Sequence, residues 1–163
     1  MGIEAVKMVW TMDEWMERLE TVGVRTAVFD CDGTLWSGDS GYGFMQWSME
    51  QGLISREMSE WMDARHRAYE AGEVNEAQIC GEMVQVYAGL REEEIRSASE
   101  VFVQRFVRKR HFREMETMVE RLREHGAEMW AVSSTHRWVI EAGVAAFGIP
   151  QSLESPAQIA GRV

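Results

Sequence analysis

A short apolar run, Thr26-Ala27-Val28-Phe29, ends abruptly on Asp30-Cys31-Asp32-Gly33-Thr34-Leu35. β-Branched and aromatic residues at Val24, Thr26, Val28 and Phe29 predict a buried strand. In an open parallel sheet, ligands bind just beyond the carboxyl ends of the strands, which puts Asp30 and Asp32 at a site. Strand alternation sends these two to one side and Cys31 to the other. Gly33 lets the backbone turn sharply, and Thr34 bonds its own backbone in the turn. Two carboxylates so close repel each other unless a cation or a shared proton intervenes. A hard metal such as magnesium, which takes oxygen ligands and bridges to phosphate, meets that need. One aspartate then attacks phosphorus while the other moves a proton. Calcium loops also open with Asp-x-Asp-Gly, but they need an acid or Asn where Thr34 stands and glycine where Leu35 stands. A ligand-free polar turn is the commoner meaning of Asp-x-Asp alone; the strand before it and Gly-Thr-Leu after it favour a site.

The run Phe29 to Leu35 resembles the first motif of the haloacid dehalogenase superfamily, and Trp36-Ser37-Gly38-Asp39-Ser40 resembles its phosphoserine phosphatase-like branch. The resemblance implies that Asp30 is the nucleophile forming an aspartyl-phosphate and that Asp32 is the general acid, then base. It implies Mg2+ at Asp30 and Asp32, through the Asp30 carboxylate and the Asp32 backbone carbonyl, with Gly33 and Thr34 beside the phosphate. The fold it implies is α/β: a Rossmann-like parallel-sheet core, incomplete at its C-terminal end, with an all-helical cap inserted after the first strand. The core then takes residues 1–35 and 111–163 and the cap residues 36–110.

The chain has 163 residues, one domain's worth or a small core plus an insertion, and 45% of them are hydrophobic, enough to bury a core. A net charge of −10 argues against nucleic acid or an anionic membrane as partner, since both need basic patches. The only cysteines, Cys31 and Cys80, match no metal spacing and are expected to be buried thiols in a reducing compartment. No signal peptide or apolar run of membrane-spanning length is readable, so the cytoplasm is the expected location. The 12 Met and 7 Trp stand largely at helical spacing, where such residues usually fill a core.

Helix signals punctuate the rest. Thr11 with Glu14 is a capping box opening a helix to about Thr21, closed by Gly23. Tyr42 to Gln51 follows the motif; Ser55 caps a helix carrying Met58, Trp61, Met62, Arg65, Ala68 and Tyr69; Asn75 and Gln78 cap the next. A fourth runs from about Arg91 to Lys109, acidic at its start and basic at its end, as the helix dipole prefers. This all-helical stretch resembles the cap that closes over the phosphate site in the branch. In phosphoserine-specific members an acidic residue after the motif and a cap arginine hold the substrate's amino and carboxyl groups. Asp39 matches the first, but the arginine would fall near Glu82 or Met83, and neither is basic. Trp36, Tyr42 and Trp47 near Asp39 suit an amine head group through cation–π contact, or simply form cap core. Asp39 and Trp36 are thus the cap-side substrate candidates.

After Phe112 the pattern returns to helix, then strand from Glu128 to Val132, then Ser133-Ser134-Thr135 and a helix to Phe147. Trp138, Val139, Ala142, Ala145 and Ala146 are expected on its inner side. Hydroxyls at a strand end that opens a helix suit an anion, because free N–H groups and the dipole point the same way; they are equally ordinary helix caps. Ala131-Val132-Ser133-Ser134 resembles the second motif of the superfamily, which makes Ser133 and Ser134 phosphate-binding. His136 is expected on a solvated face. The lysine and acidic pair of the third and fourth motifs find no match: Lys7 and Lys109 both precede Ser133, and only Glu141 and Glu154 follow it. A third strand is expected to begin at Gln158. The function implied is a magnesium-dependent phosphatase acting on a small phosphorylated metabolite. The alternative is a catalytically incomplete fragment or interaction domain, whose bare first strand pairs with a missing C-terminal segment.

Overall fold

A computed structural model of the protein describes residues 10–149 and 151–154. Helix α1, Met12–Val22, starts at a true capping box: the Thr11 hydroxyl accepts from Glu14 N–H, and the Glu14 carboxylate answers the Thr11 backbone. Gly23, at φ 68°, ends it in the left-handed conformation that glycine adopts without strain. Strand β1, Thr26–Asp30, follows. The chain then makes four helices, α2 (Ser40–Glu50), α3 (Arg56–Glu70), α4 (Glu76–Gln85) and α5 (Glu92–Phe102). It returns through α6 (Arg113–Glu124), β2 (Glu128–Ser133), α7 (Arg137–Ala145) and β3 (Gln151–Glu154).

The strands are all parallel in the order β1-β2-β3, with Asp30 beside Val132 and Ser133 beside Glu154. The fold is thus α/β with a Rossmann-like sheet, as the sequence predicts. Stepping in one direction with right-handed crossovers lays the connecting helices on a single face of the sheet. Burial agrees: Phe29, Met129, Ala131 and Ser133 are enclosed, while on the opposite face Thr26 is exposed, Trp130 half-buried and Val28 61% exposed. The expectation of a buried first strand is therefore corrected for Thr26 and Val28. Their side chains face away from the helices, and β1 is an edge strand with no neighbour on its outer side among the described residues.

The cap segment leaves and rejoins the core at one point. Trp36 bridges to His111, Ser37 N–H donates to the Arg110 carbonyl and Phe112 N–H to the Leu35 carbonyl. Within it, Ser55 and Asn75 cap α3 and α4 as their sequences predict. Helix α2 begins two residues before the expected Tyr42, because the Asp39 carboxylate accepts from Tyr42 N–H and makes Asp39 the cap. The expected helix to Lys109 is α-helical only to Phe102, and continues as a π turn over Val103–Val107 and a 3-10 turn over Arg108–Arg110. The acidic run opening α5 is structural: Arg91 pairs with Glu93, and Arg96 joins Glu92 to Glu141 of α7 at 2.7 Å to the latter.

Three further expectations are corrected. Helix α7 starts at Arg137, since Ser133 and Thr135 are held in a turn, and it ends at Ala145 rather than Phe147. Its buried face is Val139, Ile140, Gly143 and Val144, while Ala145 and Ala146 are exposed. β2 runs one residue further than expected, to Ser133, and the third strand is Gln151–Glu154; residues 158–163 lie outside those described.

Gly143 is a packing necessity. A β-carbon there would lie 2.7 Å from Cη2 of Trp36, whose ring is only 1% exposed and sandwiched near His111 and Phe147. Gly143→Ala is expected to cost about 1–3 kcal/mol through overpacking, read as a lowered midpoint in urea.

Candidate active site

The first turn after β1 is built on the Cys31 carbonyl, which accepts from the N–H groups of Thr34, Leu35 and Trp36. Gly33, at φ 83°, then donates its N–H to the Trp36 carbonyl at 2.7 Å. This knot sends Asp30 and Asp32 into different surroundings. Asp30, the last residue of β1, is exposed, and its Oδ2 accepts only a long bond from the Thr34 hydroxyl, at 3.3 Å. The N–H groups of Gly33 and Thr34, expected beside phosphate, are used within the turn.

Asp32 is held by four donors. Its Oδ1 accepts from Trp36 Nε1 at 2.6 Å and from Ser40 N–H at 2.9 Å. Its Oδ2 accepts from the Ser40 hydroxyl at 3.0 Å and the Thr135 hydroxyl at 2.9 Å. The two oxygens differ chemically. An indole and a backbone N–H are donors only, so a proton on Oδ1 would face two donors, whereas either hydroxyl on Oδ2 can turn and accept. A proton carried by Asp32 therefore belongs on Oδ2. Burial pushes this carboxyl above the usual carboxylate range, and the hydrogen bonds from Ser40, Trp36 and Thr135 pull against it. Between the aspartates, Cys31 is fully enclosed, and its thiol is pushed up to about 12 by burial, then by Asp32 and Asp30. Both cysteines are free and buried, as expected.

Ser133 and Ser134 stand at the carboxyl end of β2, the strand beside β1. The Ser133 oxygen accepts from Thr135 N–H at 3.1 Å, which leaves its own proton for an acceptor. Ser134 is exposed and lines a cavity of about 200 Å³ with Asp32, Thr135 and, from the cap segment, Asp39, His66 and Tyr69. The structure thus brings Asp32, Asp39 and Ser134 to one cavity. Asp30, Gly33, Thr34, Ser133 and Trp36 are not part of its wall, and the Trp36 ring lies behind Asp32 in the core. Trp47 is buried too, while Tyr42 donates to Asp63 and packs on His66 at 5.0 Å. At the position where a cap arginine was sought, Glu82 is engaged by Arg65 of α3, with N–O distances of 2.8 and 2.9 Å.

Thr135 and Ser40 are the site residues that the sequence did not single out. Both carry hydroxyls next to predicted helix starts, but their meeting on Asp32, 103 residues from Thr135, is a tertiary fact. His136 is also corrected. It is 2% exposed, ringed by Phe44 at 5.2 Å, Tyr87 at 5.5 Å and Trp138 at 5.5 Å, and neither ring nitrogen has a partner. The first turn of α7 faces inward because the Thr135–Asp32 bond turns the chain there.

Burial lowers the His136 pKa from 6.5 to about 4. The unfolded chain then binds a proton below about pH 6.5 that the folded chain refuses until about pH 4. Stability is full above that window and is lost as pH falls through it, by about 3 kcal/mol for a shift of this size. His136→Leu should flatten this part of the pH dependence of the urea midpoint.

Among the described residues, no helix is long and apolar enough to cross a membrane. No curated protein matches the sequence. A crystal structure described as a protein with unknown function from Bordetella pertussis Tohama I shares the fold, with a TM-score of 0.74 at 22% identity. The match covers 81% of this chain and 60% of that one, so the chain spans about three fifths of the length of this structural relative. The family model of haloacid dehalogenase-like hydrolases matches residues 27–162, from the second residue of β1 to the end of the sheet and beyond. With its first aspartate at the end of β1, its second gripped in the loop that follows, and that model spanning most of its length, this chain belongs to the haloacid dehalogenase-like hydrolase family.

Proposed function

We propose that the chain carries a phosphomonoesterase site of the phosphoserine phosphatase-like branch, acting in the cytoplasm on a small phosphorylated metabolite. The observation that carries this reading is the split in environment between two aspartates one residue apart: Asp30 exposed and nearly unbonded, Asp32 gripped by four donors. An exposed carboxylate suits a nucleophile, and a partly buried one whose pKa is raised by burial suits a group that gives up a proton and takes one back.

In this mechanism an Asp30 oxygen forms a bond to phosphorus in line with the leaving oxygen. The P–O bond to the leaving group breaks, and that oxygen takes the proton from Asp32 Oδ2. Asp32, now anionic, takes a proton from water as the water oxygen attacks the aspartyl-phosphate and releases Asp30. The Ser133 hydroxyl and Ser134 hold the phosphoryl oxygens, Thr34 sits beside Asp30, and Asp39 meets the leaving group from the cap side of the cavity.

Magnesium is the family's usual ion, and its fit is incomplete here. Both Asp32 carboxylate oxygens are occupied by protein donors, so the ligands left to hold the ion are the Asp30 carboxylate and the Asp32 backbone carbonyl, and the described residues contain no group of three ligating side chains. Of the two motif aspartates, Asp30 has the carboxylate less engaged by protein donors, and no step above is routed through a metal. The partner we propose is a strand-bearing polypeptide that adds beside β1 and brings further carboxylates.

The test is hydrolysis of para-nitrophenyl phosphate in magnesium buffer, with trapping of a beryllium fluoride adduct at Asp30. Turnover with the adduct supports the enzyme. Absence of both, with or without an added downstream polypeptide, selects the second reading, a non-catalytic interaction domain. That reading draws on one specific observation, the face and edge of β1 around Val28 left uncovered among the described residues.

A further inference from the structure

We infer that Trp36 and Thr135 are positioning residues for Asp32, each braced by a glycine on a neighbouring helix. Neither is placed to react: Trp36 is enclosed, and the Thr135 hydroxyl is spent on Asp32. Behind the indole stands Gly143 of α7, where a β-carbon would come within 2.7 Å of the ring. Against Thr135 stands Gly41 of α2, where a β-carbon would lie 2.9 Å from Oγ1 and 3.0 Å from Met83 Cε. The absence of two side chains thus lets two others reach the carboxylate, Trp36 lying against α7 and Thr135 against α2. Trp36 joins Ser40 N–H on Oδ1, Thr135 joins the Ser40 hydroxyl on Oδ2, and with two donors at each end the carboxylate is held against rotation about its own axis. A carboxylate that must meet a leaving oxygen and then a water loses rate when it can turn.

The role rests on Asp32 acting in catalysis, so the test has one arm that reads Asp32 without turnover. In the full chain labelled with nitrogen-15, the indole N–H resonance missing from Trp36→Phe identifies Trp36. Thr135→Val is expected to move that resonance and quicken its exchange with solvent, and Gly41→Ala to do the same if Thr135→Val fails to fold. Thr135→Ser should leave it in place. In the kinetic arm, Thr135→Val and Trp36→Phe lower kcat roughly tenfold to a hundredfold with KM unchanged, the effect of losing one hydrogen bond to a charged group, and Thr135→Ser restores it. An indole resonance indifferent to Thr135→Val and Gly41→Ala overturns the inference, as does a kcat that stays level while the resonance moves. If the unaltered chain shows no turnover, the phosphatase reading fails and the indole arm alone decides whether Thr135 and Trp36 hold Asp32.

Discussion

Asp30→Asn is expected to lower hydrolysis of para-nitrophenyl phosphate by a factor on the order of 10⁴, because an amide cannot form the acyl phosphate. The fold should hardly notice. The Asp30 carboxylate is exposed and loses only the 3.3 Å bond from Thr34, so the urea midpoint should stay within the small range of ordinary surface substitutions, about 0.5 kcal/mol. That contrast separates a chemical role from a structural one. Asp32→Asn is expected to fold as well, since its carbonyl oxygen can take the Oδ1 place facing two donors and its amide can donate to the two hydroxyls at Oδ2. Activity surviving in Asp30→Asn would remove the aspartyl-phosphate from the scheme.

Phe44→Ala should be the most damaging single change in the cap segment. The ring has no exposed surface and lies 5.9 Å from Trp47, 5.5 Å from Tyr87, 5.5 Å from Phe102 and 5.2 Å from His136. It is the contact through which α2 grips both the cap interior and the start of α7. Truncation at such a site costs about 3–5 kcal/mol. For a chain of this length the thermal midpoint should fall by roughly 10 °C. A loss below about 1 kcal/mol would mean that α2 does not pack on the His136 turn as described.

What could be read from the sequence was what neighbours in the chain decide. The capping box at Thr11 and Glu14, the caps at Ser55 and Asn75 and the glycine stop at Gly23 involve residues a few positions apart, and each has its expected geometry. The strands β1 and β2 were legible for the same reason, since apolar runs ending in turns at Asp30 and Ser133 mark them locally, while their parallel pairing is what the family resemblance implied. What stayed hidden depends on what lies across a gap in sequence. Val28 has the composition of a core strand residue, yet its exposure is set by which face the crossover helices occupy. His136 has the composition of a surface residue, yet it is buried because Thr135 turns toward Asp32. Trp36 looked like a substrate-facing ring, and only the notch at Gly143 shows it to be a wedge behind the acid.

The flank of β1 left unpaired among the described residues ties association to local order at the nucleophile. Among the described residues Asp30 is the terminal residue of a strand bonded on one side only, so its backbone lies in a part of the sheet that opens readily. A polypeptide that zips onto this flank binds the closed form alone, and mass action then draws the strand end into a fixed position as the concentration of that polypeptide rises. Amide protection at Ala27 to Asp30 would report such an encounter residue by residue, in a solution where no phosphate ester is being cleaved.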